Sequence, residues 1–360
     1  MNRRTSPPAS VTAAPAVPRT MAELGKLAGC SAMTVSLALR NSPRVSAATR
    51  RRIQALAAKH AYRPNPLVVA FNAHRRRSHP AFQATVGFVT CFGTRAGWKT
   101  QFPAYRTLRN GLGKRAEALG YTVEEFWIRD PEMPARRLRQ IIEARGVRGL
   151  VLAPLPADGF TLPAFDWSDL AVVATGYSIR KPDFHRVSHD YFHGMMLALE
   201  RCRAKGYRRI GFFVDRRVNR VIYNLWLAAW LAEQRTTAGA PRLEALLTEP
   251  DTRPDLAGWA RRERLDAVVG LDVRELEARG MTLPPGVARV ALNADEAGAG
   301  RRQPGISRNF AGLGAAAMDR LAGLLHANDY GVPACPQTTL IAGTWMGDRF
   351  LPERRHSCRC

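Results

Sequence analysis

The side chains best suited to chemistry lie close together near the start of the chain. Ser31, Thr34 and Ser36 offer hydroxyl groups at short spacing, and three consecutive arginines follow at residues 50–52. Hydroxyl groups donate and accept hydrogen bonds, and guanidinium groups pair with phosphate oxygens through several N–H donors. This combination favours the binding of phosphate groups and base edges over the making and breaking of covalent bonds.

The rest of the 360 residues contains no evident catalytic centre. There is no G-x-S-x-G elbow, phosphate-binding loop or H-E-x-x-H motif, and no paired carboxylates stand out. Gly111-Leu112-Gly113 lies inside a predicted helix and so does not match a dinucleotide-binding turn. His185, His189 and His193 fall on a strand and a turn, which argues against a metal site. The six cysteines lack metal-ligand spacing. We therefore expect no cofactor, no metal and no enzymatic activity.

Positive charge is concentrated at the end of the chain that carries the hydroxyl and arginine cluster. Residues 1–79 contain 14 lysines and arginines and one acid, Glu23, whereas the other 281 residues contain 40 basic and 29 acidic residues. A basic end favours a polyanionic partner, because each neutralised phosphate releases counterions. No segment approaches the roughly 18 apolar residues of a membrane span. Prolines stand where a secretion signal needs an apolar region, so we expect a disordered leader and a cytoplasmic protein.

Three short helices must position these polar side chains. Residues 21–28 predict a first helix that Gly29 ends, Ser31 can cap a second helix over residues 32 to about 40, and residues 46–60 predict a third. The unit is a helix–turn–helix whose exposed second helix would enter the major groove of DNA. The alternative is a three-helix bundle that contacts proteins. The residues predicted to share one face of the first helix are Met21, Leu24, Leu27 and Ala28.

Three motifs add specificity to this interpretation: AG.S..TVS from Ala28, VS..TR from Val45 and YRPNP from Tyr62. Together they resemble the headpiece of the lactose-repressor (LacI) family of bacterial transcription regulators. The resemblance implies a homodimer that reads a pseudo-palindromic DNA operator. The DNA-binding residues expected in the headpiece are Thr20, Ser31, Ala32, Met33, Thr34, Ser36, Leu37, Arg50 and Tyr62.

Three of these positions depart from the family. Ala32, Met33 and Leu37 occupy places that often carry polar, base-reading side chains. Apolar side chains contact thymine methyl groups or exclude bases by shape. We therefore expect weaker hydrogen-bonded readout and an operator that cannot be copied from a better-known relative.

A hinge helix is predicted after the headpiece, over residues 66 to about 74. In the family such a hinge folds on the operator and inserts an apolar side chain into the minor groove, and the matching residue here is Phe71. The alternative is a linker whose Phe71 packs on the core. The hinge residues expected to contact DNA are Asn65, Val68, Phe71 and Arg75.

From Ala84 the chain alternates between apolar strands and helices, in two successive sets. The runs TVGFVTCF, VRGLVLAPL and RRIGFFVD predict buried strands, and the final segment TTLIAGTW predicts one more. The fold class is therefore α plus α/β, with a three-helix headpiece and hinge helix before a two-lobed core of parallel sheets. The expected boundaries are a leader at 1–18, the headpiece at 19–64, the hinge and linker at 65–78, and the core at 79–360.

Motifs in this second part, including GYTVEEFW, VSHDYFHG and KGYRRIGFF, resemble the periplasmic-binding-protein-like core of the same family. The resemblance implies an effector between the lobes, at the carboxyl ends of the strands. Relatives that bind sugars or purines place an arginine near Trp226 and an aspartate near Asn293, and neither charge is present here. An aromatic-stacked ligand, a stacked sugar and no ligand all remain open. The candidate effector-binding residues are Trp98, Phe102, Tyr105, Trp127, Asp190, Asp215, Asn219, Trp226, Asp272 and Asn293.

These features predict a dimeric, sequence-specific transcription regulator that a small-molecule effector modulates, with repression the commoner family outcome. For each candidate aromatic residue the alternative is ordinary core packing. One alternative function is a DNA-binding dimer whose core no longer binds an effector. A solute-binding protein or an enzyme is the other, and it would need an export signal or a catalytic cluster that this sequence lacks.

Overall fold

The chain divides into two compact units, residues 1–80 and 81–360. The computed structural model describes residues 20–39, 45–60, 62, 84–100, 102–156, 161–249, 252–270, 276, 279–294 and 303–354. None of the helices in these ranges is long and apolar enough to cross a bilayer. The predicted hinge helix, with Asn65, Val68, Phe71 and Arg75, and the candidate effector ligand Asp272 lie outside the described residues.

The described residues of the first unit form three helices close to their predicted positions: α1 (Met21–Ala28), α2 (Ala32–Leu39) and α3 (Ala47–Lys59). Each begins at a hydroxyl side chain that accepts a backbone N–H three residues later: Thr20 from Glu23 at 3.1 Å, Ser31 from Thr34 at 3.1 Å and Ser46 from Thr49 at 3.2 Å. Such caps stabilise a helix by satisfying amide groups that have no partner within it. Gly29 ends α1 with a φ of 61°, a conformation that glycine adopts without strain.

The headpiece core is built from apolar residues of all three helices. Leu24, Val35 and Ile53 are fully buried, and Arg52 on α3 donates a hydrogen bond to the Ala28 carbonyl at the end of α1, at 3.0 Å. The prediction for Leu27 was wrong, because its side chain is 53% exposed. Residues 21, 24 and 28 follow one face of the helix at the spacing of three and four residues. Leu27 falls to the side of that face.

The second unit consists of two lobes, each around a six-stranded sheet. The first sheet contains β1 (Ala84–Thr90), β2 (Tyr121–Trp127), β3 (Gly149–Leu152), β4 (Ala171–Thr175), β5 (His185–His189) and β11 (Thr338–Ile341), all parallel, in the order β11-β5-β4-β3-β1-β2. Its helices are α4 (Gly97–Thr100), α5 (Ala104–Ala118), α6 (Ala135–Ala144) and α11 (Phe310–Ala327). Its central strands β1, β3 and β4 are mostly apolar and buried, as is typical of a parallel sheet covered by helices on both faces.

The second sheet contains β6 (Ile210–Asp215), β7 (Leu246–Thr248), β8 (Ala267–Gly270), β9 (Ala288–Ala291), β10 (Gly305–Ser307) and β12 (Thr344–Met346). Their order is β12-β10-β9-β8-β6-β7, and β12 is antiparallel to its neighbour. The helices described in this lobe are α7 (Tyr191–Ala204), α8 (Arg216–Val221), α9 (Leu225–Thr236) and α10 (Leu256–Arg262), with a 3₁₀ turn at Asp348–Phe350. A single apolar core joins α7, α9 and the strands of this sheet.

Among the described residues, the chain crosses between the lobes three times: at residues 189–191, at residues 307–310 and at residues 341–344. The prediction that TTLIAGTW forms one final strand was wrong. This segment forms two strands, β11 and β12, which belong to different sheets. Gly343 stands at the third crossing, and a Cβ atom added to it would lie 2.6 Å from Ile306 Cγ2. The close approach of the second and third crossings therefore requires a residue without a side chain.

Candidate functional site

The exposed surface of α2 is the candidate DNA-reading face. Ala32 and Met33 are exposed, and the Met33 side chain retains 59% of its accessible area. Thr34, Ser36 and Leu37 are half-buried. The Ser31 hydroxyl is engaged with both the amide and the hydroxyl of Thr34, the latter at 3.0 Å. The first turn of α2 therefore presents mainly apolar groups to a partner.

The predicted phosphate contacts occupy different environments. Arg50 donates through Nη2 to the Val45 carbonyl at 3.2 Å, so part of its hydrogen-bonding capacity is used inside the headpiece. Tyr62 is only 9% exposed and belongs to the headpiece core, where burial, with a smaller effect of the Glu23 charge, raises the pKa of its hydroxyl. Thr20, by contrast, is exposed at the start of α1.

A second candidate site lies where the lobes join, at the carboxyl ends of β5 and β10. The residues that line its cavity come from all three crossings and from two neighbouring segments of the second lobe: His189, Asp190, Tyr191, Gly194, Trp226, Leu292, Ile306, Arg308 and Gly343. The cavity has a volume of about 10 Å³, room for one water molecule. A larger ligand at this point requires the lobes to move apart.

Aromatic rings form a continuous chain through this junction. The consecutive ring-centroid distances are 5.3 Å for Phe102–Tyr105, 6.0 Å for Tyr105–Phe310, 4.7 Å for Phe310–His189, 5.7 Å for His189–Tyr191 and 5.4 Å for Tyr191–Trp226. The first five residues belong to the first lobe and the crossings, whereas Trp226 lies in the first turn of α9 in the second lobe. Such offset and edge-to-face pairs stabilise a cluster beyond the burial of their area.

Arg308 is the cation within this aromatic cluster. Its guanidinium group lies 4.7 Å from the centroid of the Phe310 ring and is hydrogen-bonded to Tyr191. Its Nε atom is buried and has no hydrogen-bond partner among the described residues. Within the same residues, no acidic side chain is ion-paired with Arg308, although Asp190 lines the same cavity.

Asp190 and Trp226 are the two sequence-predicted effector residues that line the inter-lobe cavity. Asp190 caps α7 by accepting the His193 amide at 2.9 Å. Phe102 and Tyr105 stand at the other end of the aromatic chain.

Trp127 and Trp98 occupy other places in the first lobe. The Trp127 indole donates to the Phe92 carbonyl at 2.7 Å, and Trp98 is 2% exposed and packs edge-on against Phe88 at 5.4 Å. The contacts of Trp98 correspond to the core-packing alternative.

The predicted polar residues of the second lobe are largely buried. Asp215 caps α8 and lies 3.7 Å from the Arg279 guanidinium group. Asn219 and Asn293 each have a buried side-chain oxygen without a hydrogen-bond partner among the described residues. An orphaned buried oxygen loses its hydrogen bond to water without replacement, so these atoms could accept hydrogen bonds from a ligand.

Sequence reasoning did not select Arg308, Phe310, His189 or Tyr191 as candidate site residues. His189 and Tyr191 flank Asp190 within the quoted motif VSHDYFHG, and Arg308 stands in the segment ISRNF. A cation beside an aromatic residue just after a predicted strand would have been the available signal, but the short strand β10 was not predicted. The described part of the chain contains no cluster of three or more His, Cys, Asp or Glu side chains that could hold a metal.

His189 makes the stability of this junction depend on pH. Burial, together with the positive charge of Arg308, holds the pKa of His189 well below its usual range, although a hydrogen bond with the Arg308 backbone opposes the shift. The unfolded chain therefore binds a proton near pH 6.5 that the folded chain excludes. We expect the free energy of unfolding to fall as pH drops below about 6.5, with a limiting slope of about 1.4 kcal/mol per pH unit from this residue.

The substitution His189→Gln removes this titration and keeps a side-chain donor. Urea unfolding at pH 7.5 and 5.5 measures the difference, and we expect the variant to lose about 1 kcal/mol less than the wild type on acidification. The exposed His193 serves as the control through His193→Gln, which is expected to follow the wild type. Equal acid sensitivity in wild type and His189→Gln would show that another group carries the effect.

The fold and the two sites define a class of protein: a helix–turn–helix headpiece followed by a two-lobed, periplasmic-binding-protein-like core. Residues 20–65 match the family model described as bacterial regulatory proteins, lacI family. These residues are therefore a DNA-binding headpiece of the lacI family, which confirms the resemblance found in the sequence.

Solved structures share this fold over most of the chain. The lac repressor dimer bound to operator and the anti-inducer ONPF is 16% identical with a TM-score of 0.50, and the match covers 93% of this chain and 99% of that one. The lac repressor bound to ONPG is 17% identical with a TM-score of 0.50, over 91% and 98% of the two chains. A protein from Burkholderia thailandensis, named as a ribose operon repressor, is 19% identical with a TM-score of 0.50, over 74% and 99%. No curated protein sequence matches the chain.

Proposed function

We propose that this protein is a transcription regulator that binds a pseudo-palindromic operator as a dimer and responds to a small molecule bound between its lobes. The observation that carries the proposal is the lacI-family match over residues 20–65, with the first turn of α2 exposed within it. The lac repressor dimer bound to operator, whose fold covers 93% of this chain, supports the dimeric arrangement. Because its target is chromosomal DNA, the regulator would act in the cytoplasm.

The charge and the chemistry of α2 support DNA as the partner. A basic end supplies affinity that does not depend on sequence, and the exposed α2 side chains supply selectivity. Since Ala32 and Met33 are exposed and apolar, they would select thymine methyl groups and local groove shape rather than hydrogen-bonding base edges.

The contacts between the lobes support ligand control. Arg180 of the first lobe lies 4.5 Å from the Tyr223 ring of the second lobe and donates to the Arg220 carbonyl at 2.8 Å. The Tyr177 ring meets the same Tyr223 ring edge-on at 5.4 Å. A ligand that holds these contacts closed, or keeps them apart, has different affinities for the two arrangements of the core. That difference in binding free energy is what shifts the DNA-binding equilibrium.

A DNA-binding dimer that has lost its effector is the second candidate. The observation in its favour is the small volume of the junction cavity, about 10 Å³. Calorimetric titration with the probes described below separates the two candidates, because a core without an effector would bind none of them.

The experiment that tests the proposal is selection of a random duplex library on purified full-length protein at near-physiological salt, followed by sequencing of the bound fraction. Enrichment of a site with two-fold symmetry is the expected result, because each subunit of a dimer reads one half-site. Bound but unenriched DNA would contradict sequence-specific regulation.

Met33→Ala is expected to weaken binding to the selected site by about fivefold, equivalent to about 1 kcal/mol, with little effect on random DNA. The side chain is exposed and alanine favours helices, so the headpiece should stay folded. Leu27→Ala is the matched control, because Leu27 is similarly exposed but lies on α1. Fluorescence anisotropy with specific and random duplexes measures both affinities, and equal losses in the two variants would exclude Met33 as a reading residue.

A further inference from the structure

The half-buried guanidinium group of Arg308 has no ion-pair partner among the described residues at the junction of the lobes. Its neighbours are the face of Phe310, the hydroxyl of Tyr191 and a buried His189. None of these carries a negative charge at neutral pH, because burial outweighs the Arg308 charge and raises the pKa of Tyr191. A half-buried cation in such surroundings has lost part of its hydration without gaining an anionic partner among the described residues.

The nearest candidate for compensation inside the described chain is Asp190. Its Oδ1 atom accepts the His193 amide, and its negative charge acts on Tyr177. No ion pair within 4.0 Å joins Asp190 to Arg308. Because Asp190 stands at the start of α7, its carboxylate faces the free amide groups of that helix. These amide groups attract an anion by themselves.

The positive potential of Arg308 reaches three different rings. It opposes protonation of His189 and lowers the pKa of the Tyr105 and Tyr191 hydroxyls against the larger effect of burial. Its buried Nε atom has no partner among the described residues. A guanidinium group with an open Nε position is suited to a carboxylate, whose two oxygens accept parallel hydrogen bonds from Nε and one Nη.

The other requirement on a ligand comes from the aromatic chain. A planar ring beside Arg308 can pack among Phe310, Tyr105 and Trp226, whose edge-to-face contacts already cross the junction. A neutral sugar could pack against these rings but would bring no counter-charge to the Arg308 cation.

We propose that the effector is a small aromatic carboxylate, with its carboxylate bound by Arg308 and its ring held in the aromatic chain of the inter-lobe junction. The assignment rests on the proposed function, since it names the ligand class of that regulatory site. The 10 Å³ cavity implies that the ligand enters when the lobes separate.

Isothermal titration calorimetry on the full-length protein tests this proposal. The probes are benzoate, 4-hydroxybenzoate and phenylacetate, each compared with its neutral amide, together with acetate and ribose. At least one aromatic carboxylate is expected to bind ten times more tightly than its amide, and acetate more weakly than the aromatic acids. Binding of an amide as tightly as its acid, preferential binding of ribose, or no binding by any acid would overturn the proposal.

Variants of Arg308 identify the group that recognises the carboxylate. Arg308→Gln is expected to weaken binding of the acid at least tenfold and leave the amide unchanged, whereas Arg308→Lys keeps the charge and should retain part of the preference. Arg349→Gln is the matched control, because Arg349 lies 4.8 Å from the Phe350 ring but is exposed. Unchanged preference for the acid in Arg308→Gln, with thermal unfolding like that of the wild type, would also overturn the assignment.

The operator selection on ligand-free protein distinguishes failure of the ligand assignment from failure of the proposed regulatory function. An enriched symmetric site without binding of any carboxylate would remove only the ligand assignment. A carboxylate that binds through Arg308 without an enriched site would instead remove the regulatory function and leave a ligand-binding core.

Discussion

Replacement of Ile53 by alanine is expected to abolish specific DNA binding while leaving the core folded. Ile53 is fully buried where α3 meets the other two helices, and removal of such a side chain costs about 2–5 kcal/mol. A unit of this size rarely has more than about 3–5 kcal/mol of stability. The headpiece should therefore be largely unfolded, and affinity for the selected operator should fall at least about tenfold.

Binding of the selected and random duplexes, with circular dichroism of the full chain, measures this effect. Ile53→Val gives a graded comparison because it removes one methyl group, at a cost of about 1 kcal/mol. Leu27→Ala on the exposed side of α1 should change stability by less than about 0.5 kcal/mol. Full operator affinity in Ile53→Ala would mean that the three-helix core is not what presents α2 to DNA.

Two glycine substitutions on α11 are expected to change the stability of the core in opposite directions. A Cβ atom on Gly314 would lie 2.0 Å from the Leu108 carbonyl oxygen and 2.7 Å from the Leu112 amide. Both are backbone atoms of α5, so the helices must move apart. We expect Gly314→Ala to destabilise the core by about 3 kcal/mol, which lowers Tm by about 5–10 °C in a unit of this length.

Gly323 provides the control on the same helix. A Cβ atom there meets nothing within 4 Å, and alanine favours a helix over glycine by about 1 kcal/mol. Gly323→Ala should therefore raise Tm by a few degrees. Calorimetric melting of both variants tests the pair, and a decrease in both would place the cost in the helix itself rather than in the contact between α5 and α11.

The close contact of α5 and α11 also positions the candidate ligand site. Gly111 on α5 is packed so tightly that a Cβ atom would lie 2.1 Å from the Ala311 carbonyl oxygen. Phe310 is the first residue of α11 and is followed by Ala311. Arg308 lies two positions before Phe310. The backbone contact thus holds the second crossing against the first lobe, and a shift between the helices would move the guanidinium group and its aromatic neighbours together.

The headpiece was predictable in detail because its structure is determined locally. Each of its caps joins residues three positions apart, and α1 ends at Gly29, whose conformation favours chain reversal. The charge of residues 1–79 needs no fold to be recognised. The alternation of strands and helices in the core is likewise a local property, since apolar runs and amphipathic segments differ in period.

Short elements with mixed polarity were not predicted. The strands at Leu246–Thr248 and Gly305–Ser307 contain three residues each, and the helix at Leu256–Arg262 contains seven. Segments of this length carry too few residues to establish a hydrophobic period. They form because neighbouring strands supply hydrogen bonds and a buried face.

Side-chain environments in the headpiece depended on contacts between helices. Leu27 was predicted to share the apolar face of α1, but its side chain is exposed. Tyr62 was expected to contact DNA, but its side chain is buried in the headpiece. Arg52 was expected to contact phosphate, yet it donates to the Ala28 carbonyl, 24 positions earlier in the chain. Several apolar residues can lie near the edge of one face of a helix. The local sequence period does not specify which of them a neighbouring helix will cover.

The motifs and local periods of the chain were sufficient to predict a lacI-family headpiece and a two-lobed α/β core, and the proposed ligand site between the lobes stays a prediction. The grouping of His189, Arg308 and Gly343 at one junction required the folded chain. These residues are separated by more than a hundred positions or come from different sheets, and three chain crossings bring them together. Because burial and electrostatic compensation arise from such distant contacts, the absence of an ion-pair partner for Arg308 among the described residues could be recognised only in the assembled core.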